Sequence, residues 1–298
     1  MAVDDKKPVI LVTGANGQLG SEMRQLSPHY PGYNFLFASR NELAIEDKNA
    51  VSDFFKNHVI NYCINCAAYT AVDRAESEKA TAFAVNADAP AFLALQCKEN
   101  GAPFIHISTD YVYDGSKKQP LKEADATGPL NIYGASKLRG EELVLQNNPS
   151  SVIIRTSWVY SVYGNNFVKT MLRLFKERDK LNVVNDQVGC PTYAADIASV
   201  IMKLIGRMEN GSHYSGIVNF CDSGITTWYE FAVAIKEYVN SSCDISPVPS
   251  SQYPTPAKRP HYSVLDTAKI KKMLGTEIPS WKDSLHRCLK LYFEMNPA

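Results

Sequence analysis

An apolar run, PVILVT (8–13), opens directly onto a turn with glycines at positions 14, 17 and 20, and the turn leads into the helical stretch QLGSEMRQL (18–26). Strand, tight glycine turn and helix in that order leave few folds open. Glycine lets the backbone double back and approach a pyrophosphate, which then sits at the positive end of the helix. The spacing, G-x-x-G-x-x-G, is wider at its start than the usual dinucleotide fingerprint, but the context is the one such a loop requires.

The pattern then repeats. Apolar runs YNFLFAS (33–39), VINYCINCAA (59–68), APFIHIST (102–109) and SVIIRTSWVY (151–160) read as strands. Between them, 48–58, 79–100 and 135–147 read as helices. This alternation predicts βαβ units and a Rossmann-type, doubly wound parallel sheet, an α/β fold. After about Tyr160 the rhythm loosens. Helices are expected over 167–179, 226–240 and from 266 to 274, separated by longer loops, with a proline-rich stretch, SPVPSSQYPTPAKRP (246–260), on the substrate side. The expected organisation is a dinucleotide-binding domain over 1–160. A smaller C-terminal α/β substrate domain follows over 161–298, part of which returns to the first domain.

Composition removes several alternatives. Thirty-one basic residues balance 31 acidic ones, which argues against a nucleic-acid partner held by phosphate neutralisation. No apolar run reaches the length of a membrane span, and the opening MAVDDKKP has no apolar targeting segment, so a cytoplasmic protein is expected. Cys63 and Cys66 have C-x-x-C spacing, but they lie in a strand-like run with no second pair to complete a zinc site, and read as packed, reduced thiols. The six histidines show no ligand spacing, so no metal is expected.

The chemistry concentrates in NIYGASKLRGEE (131–142), where Tyr133 and Lys137 stand one helical turn apart. A free phenol has a pKa of about 10, and a cation one turn away is expected to lower it toward the range of a useful proton donor. Ser108, Thr109 and Asp110 stand at the end of a strand, on the edge where open α/β sheets bind ligands, and supply a hydroxyl to orient a substrate oxygen. At the end of the second strand, Arg40 occupies the place where an acidic residue would grip the ribose of NAD; an arginine there can face the 2′-phosphate of NADP instead.

TGANGQLG (13–20), STDYVYDG (108–115) and YGASK (133–137) resemble the extended short-chain dehydrogenase/reductases. NCAAYTAVDRAE (65–76), RTSWVYS (155–161), DQVGCPT (186–192) and RPHYSVLD (259–266) bring the resemblance to the dTDP-4-dehydrorhamnose reductase family, over nearly the whole chain. The resemblance implies reduction of the 4-keto group of dTDP-4-dehydro-L-rhamnose with NADPH or NADH. Tyr133 would be the proton donor, Lys137 its activator and ribose ligand, and Thr109 the partner of the substrate oxygen. Gly14, Asn16, Gly17, Gln18, Leu19, Arg40, Ile45, Ala67, Ala68 and Tyr69 would line the cofactor. Asp110 and Trp158 would border the deoxysugar, with Asn166, Gln187 and Arg259 in substrate-side loops.

One departure concerns LAIED (43–47), where Ala44 stands in place of a family aspartate. Two other readings remain open. One is a non-catalytic binding role, like that of the regulatory subunit of methionine adenosyltransferase. The other is a different nucleotide-sugar reductase or epimerase. Whether the chain forms a homodimer is equally open.

Overall fold

The computed structural model describes residues 7–297; residues 1–6 and 298, and with them most of the stretch read for a targeting segment, lie outside that description. The first half runs β1 (Val9–Thr13), α1 (Gln18–Leu26), β2 (Asn34–Ala38), α2 (Lys48–Asn57), β3 (Tyr62–Asn65), α3 (Val72–Ala75), α4 (Lys79–Phe83), α5 (Ala89–Glu99), β4 (Phe104–Thr109), α6 (Ile132–Asn147) and β5 (Val152–Thr156). A π turn, Ala84–Asp88, joins α4 to α5, so the expected helix forms with a bulge in its middle. The second half runs β6 (Val159–Tyr160), α7 (Phe167–Glu177), β7 (Lys180–Val184), β8 (Val188–Gly189), β9 (Thr192–Tyr193), α8 (Ala194–Glu209), β10 (Gly216–Asn219), β11 (Thr226–Thr227), α9 (Trp228–Tyr238), β12 (Asp244–Val248), α10 (Ala268–Leu274) and α11 (Trp281–Met295).

Six strands form one sheet in the order β2-β1-β3-β4-β5-β10, and every neighbouring pair is parallel. The fold is α/β with a parallel central sheet. Its middle strands are buried on both faces, which is why β5 (VIIRT) reads as a continuous run rather than an alternation. From β1 the chain turns outward to β2, then crosses to β3 on the other side. The crevice at the carboxyl ends of β1 and β3 is therefore the topological switch point.

Helix α11 and the strands β7, β10 and β12 are not expected from the sequence, and two further segments differ from its reading. No helix is expected over 194–209, yet α8 is there and packs Ile197, Ile201 and Ile205 into the core shared with Met23 of α1 and the sheet. Stretch 151–160, expected as one strand, breaks after Thr156. Trp158 adopts a left-handed backbone, φ 47°, and the chain turns so that Val159 and Tyr160 pair with β9 instead of continuing the sheet.

The second lobe has its own core, in which Tyr160, Tyr193, Phe231 and Trp281 pack beneath the β7–β12 pair. All seven cysteines are free thiols. No helix among the described residues is long and apolar enough to cross a membrane.

Candidate active site

The glycine turn forms a backbone cradle. Gly14 has φ 68°, and a Cβ on it would lie 2.5 Å from the Ala67 amide nitrogen, so only glycine fits. The first bond of α1 runs from Ser21 N–H to the Gly17 carbonyl. The amides of Gln18, Leu19 and Gly20 precede it and have no acceptor within the helix, which makes this end a ready anion site. A cleft of about 600 Å³ opens beside it. Gly14, Asn16, Gly17, Arg40, Ile45, Ala67, Ala68 and Tyr69 line it, together with Glu46, Arg74 and Glu78, which sequence reasoning did not single out.

Two expected lining residues turn elsewhere. The Leu19 side chain is buried in the core, so only its backbone is available to a ligand. Gln18 accepts a hydrogen bond at Oε1 from Asn166 Nδ2 at 2.9 Å. Arg40 is exposed and ion-paired with Glu46.

Helix α6 carries the phenol and the ammonium. Asn131 caps it, accepting from Gly134 N–H at 2.8 Å. A Cβ at Gly134 would lie 2.2 Å from the Tyr111 carbonyl, so glycine here allows the helix to press against the loop after β4. That contact brings Tyr133 alongside Thr109, whose hydroxyl favours the phenolate. Thr109 Oγ1 donates to Asp110 Oδ1 at 3.0 Å and accepts from Tyr111 N–H.

The expectation that Lys137 lowers the Tyr133 pKa is not met. Burial dominates and pushes the phenol up to about 12, against the opposing effect of the nearby Thr109 hydroxyl. Lys137 directs its Nζ to the Ile107 carbonyl at 2.6 Å, and burial drives its own pKa down to about 8. A phenol that stays protonated throughout the neutral range is suited to donate a proton to a developing alkoxide.

On the substrate side, burial raises the Asp110 carboxyl to about 7, and its Oδ2 has no partner. Trp158 stacks on Trp228 with ring centroids 3.5 Å apart and lies against Gly189. Its left-handed backbone is of the kind that persists where the surrounding packing fixes it.

Asn166, expected in a substrate-side loop, braces that loop. Its Oδ1 caps α7 by accepting from Lys169 N–H, and its Nδ2 donates to Gln18 and to the Ser161 carbonyl. Arg259 forms a bidentate pair with Asp73, at 2.9 and 3.1 Å. Gln187 is buried. Trp228, Asn65 and His106 were missed by the sequence reading, because each acts through a partner far away in the chain.

Residues 8–293 match the family described as the RmlD substrate binding domain. The dTDP-4-dehydrorhamnose reductase of Aggregatibacter actinomycetemcomitans is 42% identical over 283 residues, covering 93% of this chain and 96% of that protein. The crystal structure of a dTDP-4-dehydrorhamnose reductase from Clostridium acetobutylicum superposes with a TM-score of 0.89 at 40% identity, over 95% of this chain and 99% of that one. The Bacillus anthracis reductase, solved in complex with NADP, gives a TM-score of 0.90 at 37% identity, over 96% of this chain and 99% of that one. With these matches running along nearly its whole length, the chain belongs to the dTDP-4-dehydrorhamnose reductase family.

Proposed function

We propose that the chain reduces the 4-keto group of dTDP-4-dehydro-L-rhamnose to give dTDP-L-rhamnose, using NADPH or NADH. The observation that carries this reading is the meeting of the Tyr133 phenol with the Thr109 hydroxyl at the carboxyl edge of the sheet, beside buried Lys137. A binding-only protein has no use for a protonated phenol held there.

The cleft fits a dinucleotide: a cradle that a Cβ at Gly14 would fill, three amides without helical acceptors, and room of about 600 Å³. The cofactor, when bound, supplies the hydride. The amides at the start of α1 would hold its diphosphate, and Ala67, Ala68 and Tyr69 would border the adenosine. Lys137 would hold the nicotinamide ribose. Tyr133 gives its proton to the sugar O4, which Thr109 orients by a second hydrogen bond. Asp110 and Trp158 would border the deoxysugar, and Arg259, in a substrate-side loop, would contact the nucleotide diphosphate. Residues 1–160 thus carry the cofactor, and 161–298 mainly the substrate.

Enzymatically generated dTDP-4-dehydro-L-rhamnose, incubated with the protein and NADPH or NADH, tests the reading. Cofactor oxidation with formation of dTDP-L-rhamnose is the expected result. A protein that binds the cofactor but turns over neither mixture overturns it.

A further inference from the structure

Next to the Tyr133–Lys137–Thr109 set, three polar side chains occupy one rung of the sheet. The register pairs Thr13 of β1 with Asn65 of β3, and Asn65 with His106 of β4. On β5 the rung continues as Ile153, so the polar row stops at His106. All three side chains are sealed from water, and so is Lys137, which His106 meets. Polar groups at this depth are tolerated only when hydrogen-bonded, so each bond has a constrained direction.

Fixed donors set those directions. The Ala67 backbone N–H donates to Asn65 Oδ1 at 3.1 Å, and the Thr13 hydroxyl donates to the same oxygen at 2.7 Å. Reversing the Asn65 amide would turn its NH₂ against the Ala67 N–H, two donors facing each other. Asn65 Nδ2 therefore donates to His106 Nδ1, 3.0 Å away. A neutral imidazole that accepts at Nδ1 carries its proton on Nε2. His106 is neutral, because burial first and Lys137 second hold its pKa well below the usual histidine value.

The Nε2–H faces Lys137 Nζ at 3.3 Å. An ammonium is all donor, so this contact sets donor against donor while Lys137 is charged and becomes a hydrogen bond when it is neutral.

We infer that His106, its proton fixed on Nε2 by Asn65, is a positioning residue that holds Lys137 poised between its charged and neutral forms. The inference rests on the proposed role of Lys137 in the reductase site. Of the other groups around Lys137, the Ile107 carbonyl accepts from it and Glu141, one turn on, favours the cation. Both Glu141 oxygens, however, are engaged by Arg155 and Ser108. Tyr133, one turn earlier, is a neutral phenol. The His106 Nε2–H opposes the ammonium and stabilises the neutral amine.

The test reads the tautomer and the titration separately. In protein labelled with ¹⁵N-histidine, NMR of His106 should show a bare Nδ1 and a protonated Nε2 between about pH 6 and pH 9. Asn65→Asp, whose carboxylate can only accept, should move the proton to Nδ1. The second readout is NADPH binding as a function of pH, followed by fluorescence. The wild-type affinity should fall through about pH 8 as Lys137 loses its proton.

In Asn65→Asp, and in His106→Gln, where a carbonyl can face the ammonium, that limb should move up by about one unit. A wild-type protein with the proton on Nδ1 overturns the inference. So does a limb that stays in place although the tautomer has moved. If the tautomer and the shift are both seen but the sugar nucleotide is not reduced, the substrate reading fails and this inference stands.

Discussion

Two cations lie in the interior beside α6, and they behave in opposite ways. Arg155 of β5 is almost wholly buried, with Nε and Nη2 on the two oxygens of Glu141 at 2.9 and 2.5 Å and Nη1 on the Tyr113 hydroxyl. Ser108 completes the knot by donating to Glu141. Burial pulls the guanidinium pKa down, but Glu141 outweighs it and the net shift is upward. Lys137, one turn before Glu141 and equally buried, has a carbonyl and a histidine N–H for neighbours, and burial wins. Depth is the same for both; the partner decides. A buried cation with a dedicated carboxylate is a structural clamp joining β4, β5 and α6, whereas one denied a carboxylate is left able to titrate.

Substitutions on the two sides should separate turnover from stability. Tyr133→Phe removes the proposed proton donor, one turn before Lys137. The expected result is a loss of about 10²- to 10⁴-fold in kcat with unchanged cofactor affinity; near wild-type turnover would dismantle the Lys137 half of the comparison. On the other side, Glu141→Leu strands Arg155 and should cost about 3–5 kcal/mol in urea unfolding, since an uncompensated charge is left inside. A loss below about 1 kcal/mol would mean the clamp is not one.

Lys137→Met removes the cation whose burial is unfavourable. Folded Lys137 has a pKa of about 8, and in the unfolded chain about 10.4, so the unfolded state binds more protons between those values. Wild-type stability therefore rises with pH across that window. Below it, the charged lysine costs about 3 kcal/mol, before allowance for the partners the variant leaves unmet. The stability of Lys137→Met relative to wild type should be greatest near neutrality and decline from about pH 8 to about pH 10, as read by denaturant melts. A difference that ignores pH would place the Lys137 pKa elsewhere.

Arg40 supplies a third, exposed cation for scale. Arg40→Ala should leave stability unchanged and reduce preference for NADPH over NADH by about fivefold, the scale of a solvated charge contact. Equal use of both cofactors by the unaltered protein would remove any role for Arg40 in the choice.

The parts of the fold that were legible in the sequence are those encoded in neighbouring residues. The glycine spacing, the strand–helix alternation and the Tyr133–Lys137 turn each depend on local backbone geometry. Helix α8 was equally readable, with apolar residues recurring through 194–205, but it falls where the alternation loosens and no motif draws attention to it. The break at Trp158 was not readable. Its left-handed backbone is held by Gly189 and Trp228, residues distant in sequence.

The sequence by itself determined the class of fold, the cradle and the Tyr133–Lys137 spacing on which the proposed proton donor rests, because turn conformation and helical spacing are set by a few consecutive residues. Only the tertiary structure decided which polar groups meet. Asn65 lies beside His106 because β3 and β4 became neighbours in one register, and a shift of one residue would send either side chain to the other face. Arg259 is claimed by Asp73 and Asn166 by Gln18 for the same reason. Only tertiary structure fixed the direction of the Lys137 pKa, because burial and the choice of partner are properties of the packed interior and are absent from the extended chain.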